Sequence, residues 1–183
     1  MLNINIFGLA IAISIGSVAI ATTSVRSQPS PEIERLQYFE GTWRCQQPAA
    51  PASQKSVFVW TVRRDLNDFW YLGNAEETKS LNDGKPINSR EFLGYDIAAK
   101  KLVRSVVVGN GNSFNMTASN WQDNKLIWSG TVVDREKEQS ISLQQEIIRD
   151  NKDRFLMQSL QRVADPQRAA SLYRHLFYSR RIG

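Results

Sequence analysis

Residues 102–133 read LVRSVVVGNGNSFNMTASNWQDNKLIWSGTVV: three β-prone segments separated by two clusters of turn formers. Leu102 to Val108, Ser113 to Ser119 and Lys125 to Val133 are rich in Val, Ile, Phe, Trp and Thr. Their side chains alternate, so that Phe114, Met116 and Ala118 share one face of a strand and Leu126, Trp128 and Val132 share one face of the next. Gly109-Asn110-Gly111-Asn112 and Gln122-Asp123-Asn124 are too short to carry a crossover helix. Consecutive segments must therefore run antiparallel.

The same grammar extends in both directions. Strands are expected near 42–47, 55–63, 69–80, 87–95, 140–149 and 154–163, with Phe58, Trp60 and Val62 on one face of theirs. Asn82-Asp83-Gly84 and Asp150-Asn151-Lys152-Asp153 supply further turns, and turn centres recur about every 12 to 16 residues from about 51 to 165. A meander of this length closes most easily into an up-and-down antiparallel β-barrel of about 8–10 strands, so the fold class is mainly β. Upstream, Ser30-Pro31-Glu32 opens a short helix: a serine N-cap, proline at the first helical position and carboxylates at 32 and 34 near the positive end of the dipole. Ile33, Leu36 and Phe39 share its buried face, and Gly41 ends it. The last segment has two readings. Asp165-Pro166-Gln167 suits a cap and first turn of a helix, whereas Leu172 to Ser179 suits a closing strand; the strand is preferred because a barrel lacking it leaves an open edge.

Ile6 to Ala21 is an apolar run ending in the small-x-small pattern Ala19-Ile20-Ala21, and Val25-Arg26-Ser27 offers a second such site. Residues 1–27 read as a signal peptide cleaved after Ala21 or Ser27, which leaves 28–183 as one exported domain, periplasmic or secreted. Because Met1 to Asn5 contains no Lys or Arg, a retained membrane anchor is the alternative.

The 183 residues, 42% hydrophobic with 8 Phe, 5 Trp and 5 Tyr, can build a packed core. One cysteine, Cys45, excludes an internal disulfide and thiolate zinc sites, and one histidine, His175, excludes the usual paired-histidine zinc sites. Glu76-Glu77 and Asp65 to Asp68 do not form a glycosidase pair, because adjacent strand residues point to opposite faces. No Gly-x-Ser-x-Gly elbow is present and no helix follows Gly109-Asn110-Gly111, so catalysis is not expected. The pI of about 9.5 draws on Arg162, Arg168, Arg174, Arg180 and Arg181 near the C-terminus. Export argues against nucleic acid as partner, and the milder reading is a solvated face or peripheral contact with anionic lipid heads or glycans.

Gly41-Thr42-Trp43, following a short helix at the mouth of the first strand, resembles the Gly-x-Trp opening of the lipocalin-like, or calycin, barrels. Phe92-Leu93-Gly94-Tyr95-Asp96, before a turn and a Lys-Leu strand start, resembles uncharacterised secreted bacterial proteins of that group, catalogued as domains of unknown function. The likeness covers residues 36 to about 163. It implies a small apolar or amphipathic ligand inside the barrel, and a first-strand Trp43 packed under an arginine of the last strand, Arg180 or Arg181. In the proteins it resembles, a second cysteine near the C-terminus faces the Cys45 position; this chain has Ser or Arg there.

Phe58, Trp60, Trp70, Phe92, Phe114, Met116 and Trp128 are the candidate ligand-binding residues, lining either a packed core or a cavity. Gly41, Trp43 and Arg180 form the candidate structural motif. No cofactor is expected on this reading. The first alternative is a haem barrel: His175-Leu176-Phe177-Tyr178 distantly resembles the last strand of nitrobindin-type barrels, where a histidine supplies the axial bond. The second alternative is a structural envelope module that binds another protein.

Overall fold

The computed structural model describes residues 28–47, 56–79, 86–136, 138–163 and 171–182. The expected signal peptide with both cleavage positions, the Asn82-Asp83-Gly84 turn and Asp165-Pro166-Gln167 lie outside them. A 3-10 helix, Pro31–Phe39, precedes ten strands: β1 Gly41–Gln46, β2 Val57–Asp65, β3 Trp70–Lys79, β4 Asn88–Asp96 and β5 Lys101–Val108, then β6 Ser113–Ala118, β7 Lys125–Asp134, β8 Gln139–Asn151, β9 Arg154–Val163 and β10 Ser171–Arg181. Each strand pairs antiparallel with the next, and β1 pairs with β10 to close the barrel. The last segment is thus the closing strand, and the helical alternative for it is set aside. Its ladder bonds satisfy both β9 and β1, leaving neither as an open edge.

Ile33, Leu36 and Phe39 recur every third residue, which matches the three residues per turn of a 3-10 helix and stacks all three on the buried side. Ser30 occupies the N-cap position, but its hydroxyl makes no cap bond; it donates to the Glu32 carboxylate instead. The serine side-chain cap expected from the sequence is therefore not made; the Ile33 N–H donates to the Ser30 backbone carbonyl at 3.0 Å instead. The helix plugs one end of the barrel. Trp121 Nε1 donates to the Arg35 carbonyl at 2.7 Å, and the Tyr38 hydroxyl lies 2.8 and 2.9 Å from the Asn151 and Arg154 carbonyls. Arg149 stacks over Trp121, its guanidinium carbon 3.2 Å from the ring centre.

Closure depends on the Gly-x-Trp turn. Trp43 is fully buried and donates Nε1 to the Phe39 carbonyl at 2.8 Å, while the Arg181 guanidinium lies 4.4 Å from its ring centre. Arg181 also donates to the Glu40 and Tyr38 carbonyls at the helix end and pairs with Asp153 at 3.5 Å. Gly41 has φ of +121°, and Arg181 Nη1 lies 2.6 Å from where a Cβ would stand. A side chain there would be strained and would also displace the arginine. The arginine over Trp43 is therefore Arg181. Of the two expected candidates, Arg180, named in the candidate motif, is the one set aside: it is exposed on the outer face, opposite Arg44, because one step along a strand reverses the side chain.

Candidate ligand-binding cavity

Register carries the alternation from strand to strand around the barrel. Trp43 opposes Trp60, which opposes Ala75; Leu93 opposes Arg104, which opposes Met116. Toward the helix the interior is filled by Trp43, Val62, Tyr71, Leu102 and Leu126, all buried. Beyond that layer the side chains no longer meet. A cavity of about 340 Å³ extends from Phe39, Trp60 and Phe155 toward Ser56, Glu77 and Ile87 at the opposite end. Phe58, Phe114, Met116, Trp128, Met157 and Phe177 belong to its apolar wall, with Phe58 and Phe177 edge to face at 5.4 Å. The two readings left open by the sequence, packed core and cavity, thus apply to different levels of one barrel.

Five of the candidate binding residues, Phe58, Trp60, Phe114, Met116 and Trp128, line this cavity. Trp70 and Phe92 do not. Trp70 begins β3 on the outer face and lies over Gly94, where an added Cβ would meet its ring at 2.5 Å. Phe92 is 42% exposed, since its neighbours Glu91 and Leu93 take the inner face. Both errors share one cause: apolar side chains occur on both faces of this hairpin, so hydrophobicity alone selects the wrong parity. His175 sits on β10 opposite Ser159; its side chain lies outside the described residues.

Sequence reading missed the polar side of the cavity. Glu91 is 3% exposed, and its Oε2 accepts from Arg104 Nε at 2.6 Å. Arg104 Nη1 donates to Gln145 Oε1 at 2.8 Å, and Gln145 Nε2 donates to Ser159 Oγ at 3.1 Å. The network crosses from β4 to β9 inside the barrel. Charged residues on strands are normally assigned to solvent. The available signal was that Glu91 and Arg104 each share parity with apolar neighbours, Leu93 and Leu102 respectively. Space for the carboxylate comes from Gly73 opposite it, where a Cβ would lie 2.4 Å from Glu91 Oε1. Two buried polar atoms of the cavity residues have no hydrogen-bond partner, Glu91 Oε1 and Trp60 Nε1.

Cys45 lines the same space and receives a hydrogen bond from the Ser179 hydroxyl at 2.8 Å, so the residue facing this cysteine is serine. Burial pushes its thiol up to about 12, against the smaller effect of that bond, so it is a neutral thiol rather than a nucleophile near neutral pH. Among the described residues, no three His, Cys, Asp or Glu side chains are grouped to hold a metal ion. At the far end, Glu77 accepts from Ser56 Oγ at 2.7 Å and from the Ile87 amide at 3.0 Å.

A family model described as "Protein of unknown function (DUF1579)" matches residues 28–171, which spans the helix, strands β1 to β9 and the first residue of β10. No curated protein matches the sequence.

Proposed function

The chain belongs to the DUF1579 family, and from that premise we propose that it is an exported, lipocalin-like binding protein that holds a small apolar or amphipathic molecule inside its barrel. The observation that carries this reading is the cavity of about 340 Å³, which falls within the range of small-molecule sites and is walled mainly by apolar side chains, aromatic and methionine residues prominent among them. Burial of apolar ligand surface against that wall supplies the affinity, at roughly 25 cal/mol per Å² removed from water. The few converging polar groups supply orientation. Binding rather than catalysis is supported by the state of those groups: the cysteine is neutral and the arginine is already engaged by Glu91 and Gln145. Export is supported by the apolar run from Ile6 to Ala21.

The test is a fluorescence titration with the uncharged probe N-phenyl-1-naphthylamine. A micromolar Kd, about -8 kcal/mol, is expected. Met116→Trp places a larger side chain in the space and should weaken the probe by more than it lowers stability. In a filled interior the same overpacking would cost about 1 to 3 kcal/mol of stability with no probe bound to either protein, and that result would refute the reading.

A further inference from the structure

We propose that the outer wall made by β1, β10 and β9 docks on the anionic headgroup layer of a lipid bilayer, with a row of arginines on the lipid phosphates and Tyr178 among the headgroups. This wall is separate from the cavity, so the proposal does not depend on what the barrel holds.

Register sets three arginines side by side. Arg44 of β1 opposes Arg180 of β10, which opposes Arg154 of β9, and all three are exposed. Like charges directly opposite on neighbouring strands repel and cost stability, and here they meet at the seam that closes the barrel. The acids nearby do little to relieve them. Asp153 pairs with Arg181 and Glu146 with Lys125, both away from the row. Asp150 pairs with Arg154 at 3.1 Å, but the side chains are 63% and 59% exposed, so the pair is weak. Among the described residues, no carboxylate pairs with Arg44 or Arg180.

An apolar row lies beside the basic one. Two residues along β10 from Arg180, Tyr178 opposes Leu156 of β9, which opposes Ile148 of β8. Tyr178 is 52% exposed, and Leu156 and Ile148 are partly so. Leu176 and Leu160 share the same outer parity, because their neighbours Phe177 and Ser159 take the inner one. An outer strand face that met only water would carry polar residues at these positions. Charge and apolarity together select the partner. A soluble polyanion would match the arginines but leave the apolar row in water. A bilayer meets both, since guanidinium groups bind phosphate oxygens bidentately and a tyrosine ring suits the headgroup level, with one end apolar and the other wet.

The experiment sediments the full chain with phosphatidylcholine vesicles and with vesicles of equal parts phosphatidylcholine and phosphatidylglycerol, at pH 7.5 and 0.1 M salt. Their ratio cancels any insertion of the apolar run from Ile6 to Ala21, which is common to both. The anionic vesicles are expected to bind more tightly, and Arg44→Gln with Arg180→Gln should reduce that preference by about 25-fold, roughly fivefold per charge. Arg90→Gln with Lys101→Gln removes the same charge from β4 and β5, across the barrel from β10, and should change it by less than about twofold. Tyr178→Ser should weaken anionic-vesicle binding by about fivefold, the worth of some 40 Å² of apolar surface, and leave binding to dextran sulfate unchanged. A urea midpoint at or above that of the parent shows that each variant is folded. No preference for phosphatidylglycerol overturns the proposal, and equal losses from the two charge pairs overturn the assigned face. Dextran sulfate bound as tightly as the vesicles, with Tyr178→Ser without effect on either, overturns the bilayer in favour of a soluble polyanion.

Discussion

Arg104→Met would leave the Glu91 carboxylate inside the barrel without its cation. The two side chains are 14% and 4% exposed, and their Nε to Oε2 distance is 2.6 Å, so the carboxylate is desolvated in the folded state and hydrated in the unfolded one. Breaking a buried pair in this one-sided way costs about 3 to 5 kcal/mol. Loss of the bond to Gln145 Oε1 adds on the order of 1 kcal/mol. Removing both charges in Arg104→Met with Glu91→Leu should restore most of that loss, because apolar groups of similar volume replace an ion pair at little or no cost. The coupling between the two sites is therefore expected to be about 3 kcal/mol. Urea unfolding followed by tryptophan fluorescence measures it, with an unchanged m-value as the check that the compact state is preserved. In a thermal scan, Arg104→Met should lower Tm by roughly 8 to 24 °C for a domain of this size. A cost below about 1 kcal/mol would mean that Glu91 is hydrated, and a double variant no more stable than Arg104→Met alone would refute the pairing itself.

Arg181→Ala should cost about 2 to 4 kcal/mol, because it removes the cation over Trp43 together with the donors to Glu40 and Tyr38, whereas Arg180→Ala should stay within about 0.5 kcal/mol; equal costs in urea titrations would contradict the closing geometry. Burial raises Cys45 from 9.0 to about 12 and Tyr38 from 10.0 to about 12, so the native state retains protons that the unfolded chain gives up. Their contribution to stability is complete below about pH 9 and is lost as pH rises toward 12; a urea midpoint that rises across that window would reverse the sign, and Cys45→Ala should make the fall shallower. N-terminal sequencing of the exported form should begin at Thr22 or Gln28, and recovery of Met1 would turn the apolar run into a retained anchor.

Strand positions and the antiparallel meander were legible because they arise from neighbours in the chain. Side-chain alternation has a period of two residues, and a turn such as Gly109-Asn110-Gly111-Asn112 reverses the chain within four residues, so both signals are complete inside a short window. Expected and observed strand limits accordingly differ by no more than two residues wherever strands were assigned, from β1 at Gly41–Gln46 to β9 at Arg154–Val163. The aromatic residues of β2, β6 and β7 were placed correctly for the same reason, each lying in a segment with one clearly apolar face.

Which face points inward on a mixed strand is a different kind of question. In β4, Phe92 and Leu93 are equally credible core residues by their chemistry, and only the register with Leu72, Tyr71 and Arg104 puts Leu93 inside and Phe92 out. The pairing of Cys45 with Ser179, 134 residues apart, and the stacking of Arg181 rather than Arg180 on Trp43 exist only once β10 closes on β1. Helix type was open as well, since a three-residue spacing of apolar groups also fits part of an α-helical face; packing against the barrel end selects the tighter coil. Above all, the buried Glu91 and Arg104 could not be read locally. Each alone would be prohibitively costly in the interior, and that cost is offset only when neighbouring strands bring the other charge, Gln145 and the room that Gly73 leaves for the carboxylate to the same point. Local periodicity determines that this chain makes a barrel; the free energy of an interior ion pair belongs to no single segment, so tertiary structure alone determines what the barrel contains.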